Sequence, residues 1–175
     1  MKILALLLLL APIHQNSMGG DLTVDEAPNG AVLRTMGGDI RIRNAAGDVV
    51  AKTMGGNIRI RSSNGSIDAG TMGGNIVLEV LGGGESREIH LASMGGRIEL
   101  SLPNDFAADF DIQLEQDRDS GPHQIRSDFP LHIQESTRRH WFRSVRVLTG
   151  TGKNGTGGNR VRIWTIGSDI TIRRR

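Results

Sequence analysis

The sequence lacks cysteine and tyrosine, and its aromatic residues are only four Phe and two Trp among 175 residues. The absence of cysteine excludes disulfide bonds, thiolate metal ligands, cysteine nucleophiles and lipid attachment through a processed N-terminal Cys. Because aromatic side chains are scarce, the core must be built mainly from Ile, Leu, Val, Ala and Met. The length is that of a single domain with a core of its own.

An excess of charge of one sign is also missing, because 21 Lys and Arg residues face 19 Asp and Glu residues. The formal net charge of +2 is too small to indicate a nucleic-acid partner by itself. Single-stranded nucleic acid binds to exposed aromatic side chains, and the basic positions described below have none beside them. We therefore expect no nucleic-acid partner.

No apolar run is long enough to span a membrane. The run Ile3–Ala11 follows Met1 and Lys2, which is the layout of a short secretory signal peptide. No small-x-small cleavage site follows it, so an apolar strand that caps the fold and a misassigned start are the alternatives. We assign residues 1–16 to this segment and residues 17–175 to one domain. An extracytoplasmic location (periplasmic, secreted or on the cell surface) is expected, with the cytoplasm as the alternative.

The sequence repeats one short phrase five times. Its copies begin at Ser17, Thr35, Thr53, Thr71 and Ser93, and each reads Ser or Thr, Met, Gly, Gly, a polar residue, then Ile or Leu. The Met residues follow one another at steps of 18, 18, 18 and 22 residues. Regular spacing of this kind is typical of a repeat architecture.

After each Gly-Gly pair, apolar residues alternate with polar ones, as in Ile40 and Ile42 against Arg41 and Arg43. A period of two predicts a strand with one buried face. Half a repeat later a second, weaker strand is predicted from the column of Ala31, Val49 and Ile67 and the column of Leu33, Ala51 and Ala69. The first strands should align in two ladders, Leu22, Ile40, Ile58, Ile76 and Ile98 beside Val24, Ile42, Ile60, Leu78 and Leu100.

Two short strands in each repeat of about 18 residues predict an all-β, single-stranded parallel β-solenoid. The regular coils cover residues 17–102, and looser coils and loops cover residues 103–175. We expect the Gly-Gly pairs to supply positive φ at a corner, the Met to fill that corner, and the Thr or Ser to hydrogen-bond locally or along its own column.

The 22-residue step places four extra residues around Gly82–Ser86, which predicts a loop outside the stack. Alternation resumes over residues 106–114 and 127–134, and the glycine-rich stretch Gly150–Gly158 reads as a loop. The segment Thr165–Arg173 matches Thr35–Arg43 almost position for position. The solenoid is therefore predicted to continue to the C-terminus.

The phrases "GGDIRIRNAAGDV", "LPNDFAADFDIQ", "IRSDFPLHIQ" and "GGNRVRIWTIGSDITIRRR" together resemble a bacterial adhesin-like family, a domain of otherwise unknown function. The resemblance covers about residues 17–175 and rests on the order of these blocks. It implies a β-solenoid that is exported or associated with the envelope, with no established catalytic residues. The long anchored N-terminal region of many members is missing here.

Several kinds of chemistry are not supported by their spacing. A calcium-binding Gly-Gly-x-Gly-x-Asp repeat needs Gly and Asp at positions that hold Ile or Val here. A phosphate-binding loop at Gly150–Gly155 would need Gly at Val147 and Ser or Thr at Asn154. His90, His123, His132 and His140 show no metal-ligand spacing. We expect no metal and no cofactor.

An acidic pair, Asp109 and Asp111, lies on one face of a predicted strand, with Asp105, Asp117 and Asp119 nearby. Such carboxylates could serve polysaccharide cleavage, but no basic partner is recognisable from the sequence and solvated outer faces explain them. The Arg-rich segment at residues 138–143, with Trp141 and Phe142, reads as an edge whose rings pack inward. We predict that the protein is not an enzyme.

The most suggestive surface feature is basic. Arg41 and Arg59, beside Arg43 and Arg61, should stack one coil apart, and Arg34 and Lys52 should do so on the other sheet. A solvated face is one interpretation. The other is a site for an anionic glycan or envelope polymer, since Arg forks suit carboxylate and phosphate groups.

These observations favour a non-enzymatic envelope or cell-surface module that binds or scaffolds. The alternatives are a self-assembling structural solenoid that joins end to end through its strand edges, an intracellular regulatory scaffold and, less favoured, a polysaccharide-acting enzyme. An anionic polymer or another protein is the expected partner.

Overall fold

The computed structural model of the protein describes residues 11–82, 86–117, 121–140 and 143–175. Every regular element in these ranges is a β-strand, which confirms the all-β prediction. Over the same ranges no helix is long and apolar enough to cross a membrane. Residues 1–10, which include most of the apolar run, and the centre of the predicted loop at residues 83–85 lie outside the described residues.

Sixteen strands are described. In chain order they are β1 (Ile13–Ser17), β2 (Leu22–Ala27), β3 (Ala31–Thr35), β4 (Ile40–Ala45), β5 (Val49–Thr53), β6 (Ile58–Ser62), β7 (Ile67–Thr71), β8 (Ile76–Val80), β9 (Glu88–Ser93), β10 (Ile98–Leu102), β11 (Ala108–Asp117), β12 (Ile125–Ser127), β13 (His132–His140), β14 (Arg143–Asn154), β15 (Asn159–Ile166) and β16 (Ile170–Arg174).

Up to Leu102 the chain winds as five coils of two strands each. The odd strands β1 to β9 pair in parallel in one sheet, and the even strands β2 to β10 pair in parallel in the other. Equivalent residues of neighbouring coils are register partners, for example Ile40 with Ile58 and Ala31 with Val49. The predicted parallel β-solenoid with two strands per coil is confirmed.

The core lies between the two sheets and consists of the predicted ladders. Along one ladder Ile40, Ile58, Ile76 and Ile98 are buried, and Leu22 at the end of the stack is half-buried. The parallel ladder in the other sheet is buried as well, and it contains Ala31, Leu33, Val49, Ala51, Ile67 and Ala69. Burial of each large aliphatic side chain stabilises the fold by roughly 1.5–3 kcal/mol, so the stacked columns are the main source of stability.

The Gly-Gly pairs turn a corner, but the predicted reason was wrong. None of the ten glycines in the five repeated phrases has a positive φ. A Cβ atom added to Gly74 would instead lie 2.0 Å from the carbonyl oxygen of Gly56 on the neighbouring coil, whereas one added to Gly73 would have only ordinary contacts at 3.7 Å. The second glycine is therefore required because consecutive coils approach too closely for any side chain.

The Thr or Ser before each Met hydrogen-bonds locally, as predicted, and in four of the five copies it also bonds to the neighbouring coil, to a glycine carbonyl rather than along its own column. Thr53 Oγ1 donates to the carbonyl oxygen of Gly38 at 3.0 Å and accepts from the N–H of Gly56 at 3.2 Å. The equivalent bonds are made by Thr35, Thr71 and Ser93. The hydroxyl thus joins its own corner to the neighbouring coil.

The Met of each phrase does not fill the corner. Met36, Met54, Met72 and Met94 are about half exposed, and Met18 is mostly exposed. The expectation of a buried apolar filler was wrong, because the Gly-Gly corner is already closed by backbone contacts between coils. The five side chains stand instead along one outer edge of the solenoid.

The C-terminal segment rejoins the solenoid, as predicted, but in an unexpected place. Strands β15 and β16, here called the final coil, pair in parallel with β9 and β10 of the fifth coil. On their other side they pair with β11 and β12, which precede them in the chain. The final coil is therefore inserted between two layers that were formed by earlier residues.

The strands β11, β13 and β14 form an antiparallel extension of the nine-stranded sheet, in the order β11, β14, β13. The predicted loop at Gly150–Gly158 is only partly correct, because Gly150 to Asn154 belong to β14 and the turn is confined to the residues that follow. At the other end of the solenoid, β1 begins in the segment assigned to residues 1–16, ends at Ser17 and pairs with β3.

Candidate functional site

The four predicted arginines lie on the outer face of the seven-stranded sheet. Strands β4 and β6 alternate buried isoleucine with exposed arginine, since a strand directs successive side chains to opposite faces. Arg41, Arg43, Arg59 and Arg61 are all exposed. Their contacts divide them into two pairs.

Arg41 and Arg59 are direct register partners on neighbouring strands. The next residues in the same row are uncharged, Thr23 on one side and Val77 on the other. Neither arginine has an ion pair or a side-chain hydrogen bond within the described ranges. Two like charges therefore stand side by side without a compensating carboxylate, an arrangement that is destabilising by itself.

Arg43 and Arg61 are neutralised. Arg43 Nε lies 3.2 Å from Asp25 Oδ1, and Arg61 Nε lies 2.8 Å from Glu79 Oε2. Glu79 also contacts Arg175 Nε at 3.2 Å. Each carboxylate lies 18 residues from its arginine in the sequence. Counting one repeat would therefore have predicted these two ion pairs and distinguished Arg43 and Arg61 from Arg41 and Arg59.

A shallow groove with a volume of about 430 Å³ runs beside Arg41 and Arg59, across several coils. Its remaining polar lining comes from the ends of the corners and from the next strands. These residues are Asp39, Asn57, Asn75, Arg97 and Glu99. Arg97 Nη1 lies 3.8 Å from Glu99 Oε1, so Arg41 and Arg59 are the two cations of the groove without an ion pair among the described residues, and Asp39 adds one negative charge to the lining.

One wall of the groove is a ladder of Asp and Asn side chains that the sequence reasoning missed. Asp39 Oδ1 accepts from the backbone N–H of Asn57 at 2.7 Å, and Asn57 Oδ1 accepts from that of Asn75 at 2.9 Å. Asn75 Oδ1 in turn accepts from the N–H of Arg97 at 2.9 Å. The sequence feature that could have predicted this ladder is the polar residue that follows every Gly-Gly pair. This ladder fixes the corner ends and makes the groove wall rigid.

The outer face of the nine-stranded sheet carries a separate cluster of paired charges. Arg34 and Lys52 are register partners, as predicted, but Lys52 Nζ contacts Asp68 Oδ1 at 2.5 Å. His90 Nδ1 lies 3.0 Å from the same oxygen, and Arg162 Nη1 lies 2.8 Å from Glu88 Oε1. Lys52 and Arg162 therefore have carboxylate partners, whereas Arg34 has no ion pair among the described residues.

The pKa of Asp68 reflects this environment. Partial burial by itself would raise the pKa, but hydrogen bonds from Lys52 and His90 and their charges outweigh it, so the pKa of Asp68 lies below its usual value. The carboxylate is therefore ionised over the whole neutral range.

A buried arginine anchors the base of the predicted loop at residues 82–86. Arg87 is buried, and its Nη2 donates to the carbonyl oxygen of Ser63 at 2.7 Å. Its backbone N–H donates to Asn159 Oδ1 at 2.9 Å, which connects the fifth coil to the final coil. Burial lowers the pKa of Arg87 from its ordinary value, and its Nε has no hydrogen-bond partner among the described residues.

The acidic pair has basic neighbours that the sequence did not reveal. Asp109 is a register partner of Lys153 and Arg160, and its Oδ1 lies 3.8 Å from Lys153 Nζ. Asp111 is a register partner of Arg162. Both aspartates are exposed, as the interpretation of a solvated outer face required.

Within the described ranges no group of three or more His, Asp or Glu side chains is placed to hold a metal ion. His123 Nδ1 lies 3.5 Å from Asp169 Oδ1, and His132 Nε2 lies 3.1 Å from Gln134 Nε2. The predicted inward packing of Trp141 and Phe142 falls outside the described residues.

No protein-family profile, curated protein or solved structure shows significant similarity to the chain. The resemblance to an adhesin-like family and the prediction that the protein is not an enzyme therefore stay predictions.

Proposed function

We propose that the protein is a non-enzymatic module of the cell envelope or cell surface that binds an anionic polymer along the groove beside Arg41 and Arg59. One observation carries the proposal. Two exposed arginines on adjacent strands are register partners, and neither has a carboxylate partner within the described ranges. A polymer with carboxylate or phosphate groups would supply the missing negative charge.

The energetics favour a ligand at this place over the neighbouring pair. Arg43 and Arg61 already have carboxylate partners, so a new anion would have to displace Asp25 or Glu79. An anion beside Arg41 and Arg59 displaces no carboxylate and relieves the repulsion between the two guanidinium groups. Bidentate, charge-assisted hydrogen bonds are the strongest that such a group can make.

The shape of the site favours a chain over a compact ion. The groove crosses several coils, which follow one another at about 4.8 Å, and its polar residues repeat once per coil. A polymer lying along the stack can therefore place successive groups against successive coils. Asn57 and Asn75 in the wall can hydrogen-bond to hydroxyl groups of a glycan.

The proposed location rests on two expectations from the sequence. The apolar run after Met1 and Lys2 has the layout of an export signal, and the block order resembles that of an adhesin-like family. Envelope polymers with repeating carboxylate or phosphate groups are the ligands that a module in this compartment would meet.

The test compares two charge-matched double variants. Arg41→Gln with Arg59→Gln and Arg43→Gln with Arg61→Gln each remove two positive charges from β4 and β6. Retention of the full chain on immobilised polygalacturonate and on polyphosphate is measured against uncharged dextran, over a salt gradient. We expect the first variant to lose affinity about tenfold or more and the second to lose much less.

Thermal unfolding of both variants provides the folding control. The first variant should be as stable as the parent or slightly more stable, by up to roughly 0.5 kcal/mol, because it removes a like-charge pair. If both variants lost the same affinity for the polymers, net charge alone would explain the binding and the proposed site would be wrong. Unchanged retention of the first variant would also contradict the proposal. The polygalacturonate and polyphosphate arms distinguish carboxylate from phosphate ligands.

End-to-end assembly is the second candidate function, because β1 and β2 at one end of the stack each pair with a single strand among the described residues. Exposed strand edges are templates for further pairing. Sedimentation over a wide concentration range tests the idea, and a monomer at every concentration would dismiss it.

A further inference from the structure

Five methionines form a row along one edge of the solenoid, here called the methionine ladder. Each stands at the same place in its coil, directly before Gly-Gly, and the members are Met18, Met36, Met54, Met72 and Met94. Backbone bonds hold the consecutive corners together, since the N–H of Gly55 donates to the carbonyl oxygen of Met36 and that of Gly73 to Met54, both at 3.1 Å. Neighbouring members are therefore one coil apart, about 4.8 Å along the stack.

The exposures indicate that neighbouring coils cover part of each methionine side chain within the row. Met18, at the end of the row, is 84% exposed, whereas the four others are between 47% and 52% exposed. Met18 has no coil beyond it in the described part of the stack, whereas Met94, at the other end of the row, is followed by the final coil with Ile166 at the equivalent position. Met36, Met54 and Met72 each have a methionine at the equivalent position of the coil on either side, so successive methionines occupy neighbouring positions along the edge.

Core packing does not account for methionine at these positions. Six large apolar side chains are exposed in the described part of the chain, and five of them are the ladder, the sixth being Ile133. The corner is already closed by the close approach of backbone at the second glycine. What the five residues share beyond hydrophobicity is the thioether sulfur.

We propose that the methionine ladder binds a soft monovalent metal ion of the Cu(I) class. Thioether sulfur is a soft ligand that selects Cu(I) over harder cations. Metal–sulfur bonds are roughly 2.3 Å long, so two sulfurs on one ion are up to about 4.6 Å apart, which is close to the spacing of the coils. The flexible, unbranched methionine side chain can adjust the remaining difference.

The chain lacks the strongest soft ligand for such an ion. It has no cysteine, whose thiolate would be the stronger soft donor. In the final coil the equivalent position is Ile166, which is half-buried, so the ladder ends at Met94. Met36, Met54 and Met72 form its centre, where two or three thioethers can contact one ion.

The experiment titrates the full chain with Ag(I), which shares the soft character of Cu(I) but does not oxidise in air. Binding is followed by calorimetry and by the NMR signals of the methionine methyl groups. Cu(I) is then measured anaerobically by competition with a chromophoric chelator. Shifts of the Met36, Met54 and Met72 methyl signals on substoichiometric Ag(I) are expected.

The test variant replaces the centre of the ladder, Met36→Leu with Met54→Leu and Met72→Leu, because leucine keeps the apolar volume and removes the sulfur. We expect its affinity for Ag(I) and Cu(I) to fall more than about tenfold. Met18→Leu is the matched control, since Met18 lies at the end of the row, and its affinity should change less than about threefold.

Unfolding temperatures show whether the triple variant keeps its fold, which the similar volumes of Met and Leu favour. Affinity of the parent no greater than that of free methionine would overturn the proposal. So would a folded triple variant that binds Ag(I) as the parent does. Retention on anionic polymers is measured independently, so the two proposals can fail separately.

Discussion

The five regular coils and the C-terminal part of the chain build the same two sheets in different ways. In the coils each strand pairs with its equivalent about 18 residues away, as Ile58 does with Ile40 and Ile76. In the C-terminal part the partners are distant, because Arg160 of β15 pairs with Glu88 and β11 pairs antiparallel with β14. Local repetition is sufficient to build the first region, whereas the second is completed only by long-range contacts.

The corners of the two regions differ as well. In a regular corner both glycines have negative φ, and the second lies against the neighbouring backbone. In the final coil Gly167 has a φ of +64° with open space around it, and Ser168 occupies the place of the second glycine. The same change of direction is therefore produced by close packing in one region and by a left-handed residue in the other.

Disruption of the final coil is expected to have the largest effect on stability. Ile170 is fully buried between its register partners Ile98 and Ile125, so Ile170→Asp should destabilise the C-terminal part by about 4 kcal/mol or more. Hydrogen exchange should show lost protection in β11–β16 while β3–β8 keep theirs.

The control for this experiment is Thr171→Asp, one residue further along the same strand. Thr171 is half-buried on the outer face, between Glu99 and Arg126, and its replacement should have a small effect. Uniform loss of protection in all coils of the Ile170→Asp variant would contradict a separation of the two regions.

The corner glycines should give the second largest effect. Gly74→Ala places a Cβ atom 2.0 Å from the carbonyl oxygen of Gly56 and should cost about 3 kcal/mol, at the upper end of the range for overpacking. Gly167→Ala forces alanine into a left-handed conformation and should cost about 1 kcal/mol. Chemical denaturation of both variants measures the difference.

Gly73→Ala is the neighbouring control. Its Cβ atom would meet nothing closer than 3.7 Å and its φ is negative, so stability should be unchanged or raised by about 0.5 kcal/mol. If Gly73→Ala and Gly74→Ala were equally destabilising, close approach between coils would not explain the Gly-Gly pair.

The smallest expected effect concerns acid stability. Because the folded pKa of Asp68 lies below its unfolded value, its contribution is fully present above about pH 4, the unfolded pKa. It is lost as the pH falls through the folded pKa. Asp68→Asn should therefore flatten the acid side of the stability profile, by less than about 1 kcal/mol because the carboxylate is partly exposed.

Glu135 provides the corresponding test of acid stability in the C-terminal part of the chain. A hydrogen bond from Arg146, at 2.5 Å, lowers the pKa of Glu135; desolvation opposes this, and the charge of Arg146 adds to it. The pair stands on an exposed strand, so solvent screens it and Glu135→Gln should change the profile less than Asp68→Asn. Thermal unfolding between pH 2.5 and pH 7 measures both, and the reverse order would contradict the assignment.

The sequence was informative wherever a property repeats. The period, the ladder from Ile40 to Ile76 and the register of Arg41 with Arg59 follow from counting 18 residues, and Ile98 follows from the repeated phrase after a step of 22. The match of Thr165–Arg173 to Thr35–Arg43 predicted a further coil but not its neighbours. The buried columns of one coil can pack on those of any other coil, so the repeat pattern does not predict which coils are neighbours. The position of the final coil in the stack is determined by the long-range pairing of β15 with β9 and β11.

The candidate site was predicted in part for the same reason. Shifting the sequence by one repeat places Asp25 beside Arg43 and Glu79 beside Arg61, so charge compensation could have been found before the structure. The role of the second glycine could not have been predicted, because it depends on the distance between the backbones of two neighbouring coils. It does not depend on the φ preference of the residue. The exposure of the methionines follows from that same distance.

The inserted final coil also has a consequence for protein synthesis. A ribosome releases the chain from its N-terminus, so β11 and β12 emerge before the layer that must lie between them and the fifth coil. A product that stops before Asn159 retains unpaired strand edges on both sides of the vacant layer, and such edges attract proteases and aggregation. Strands β15 and β16 therefore complete both sheets only after the strands on either side of them have been synthesised.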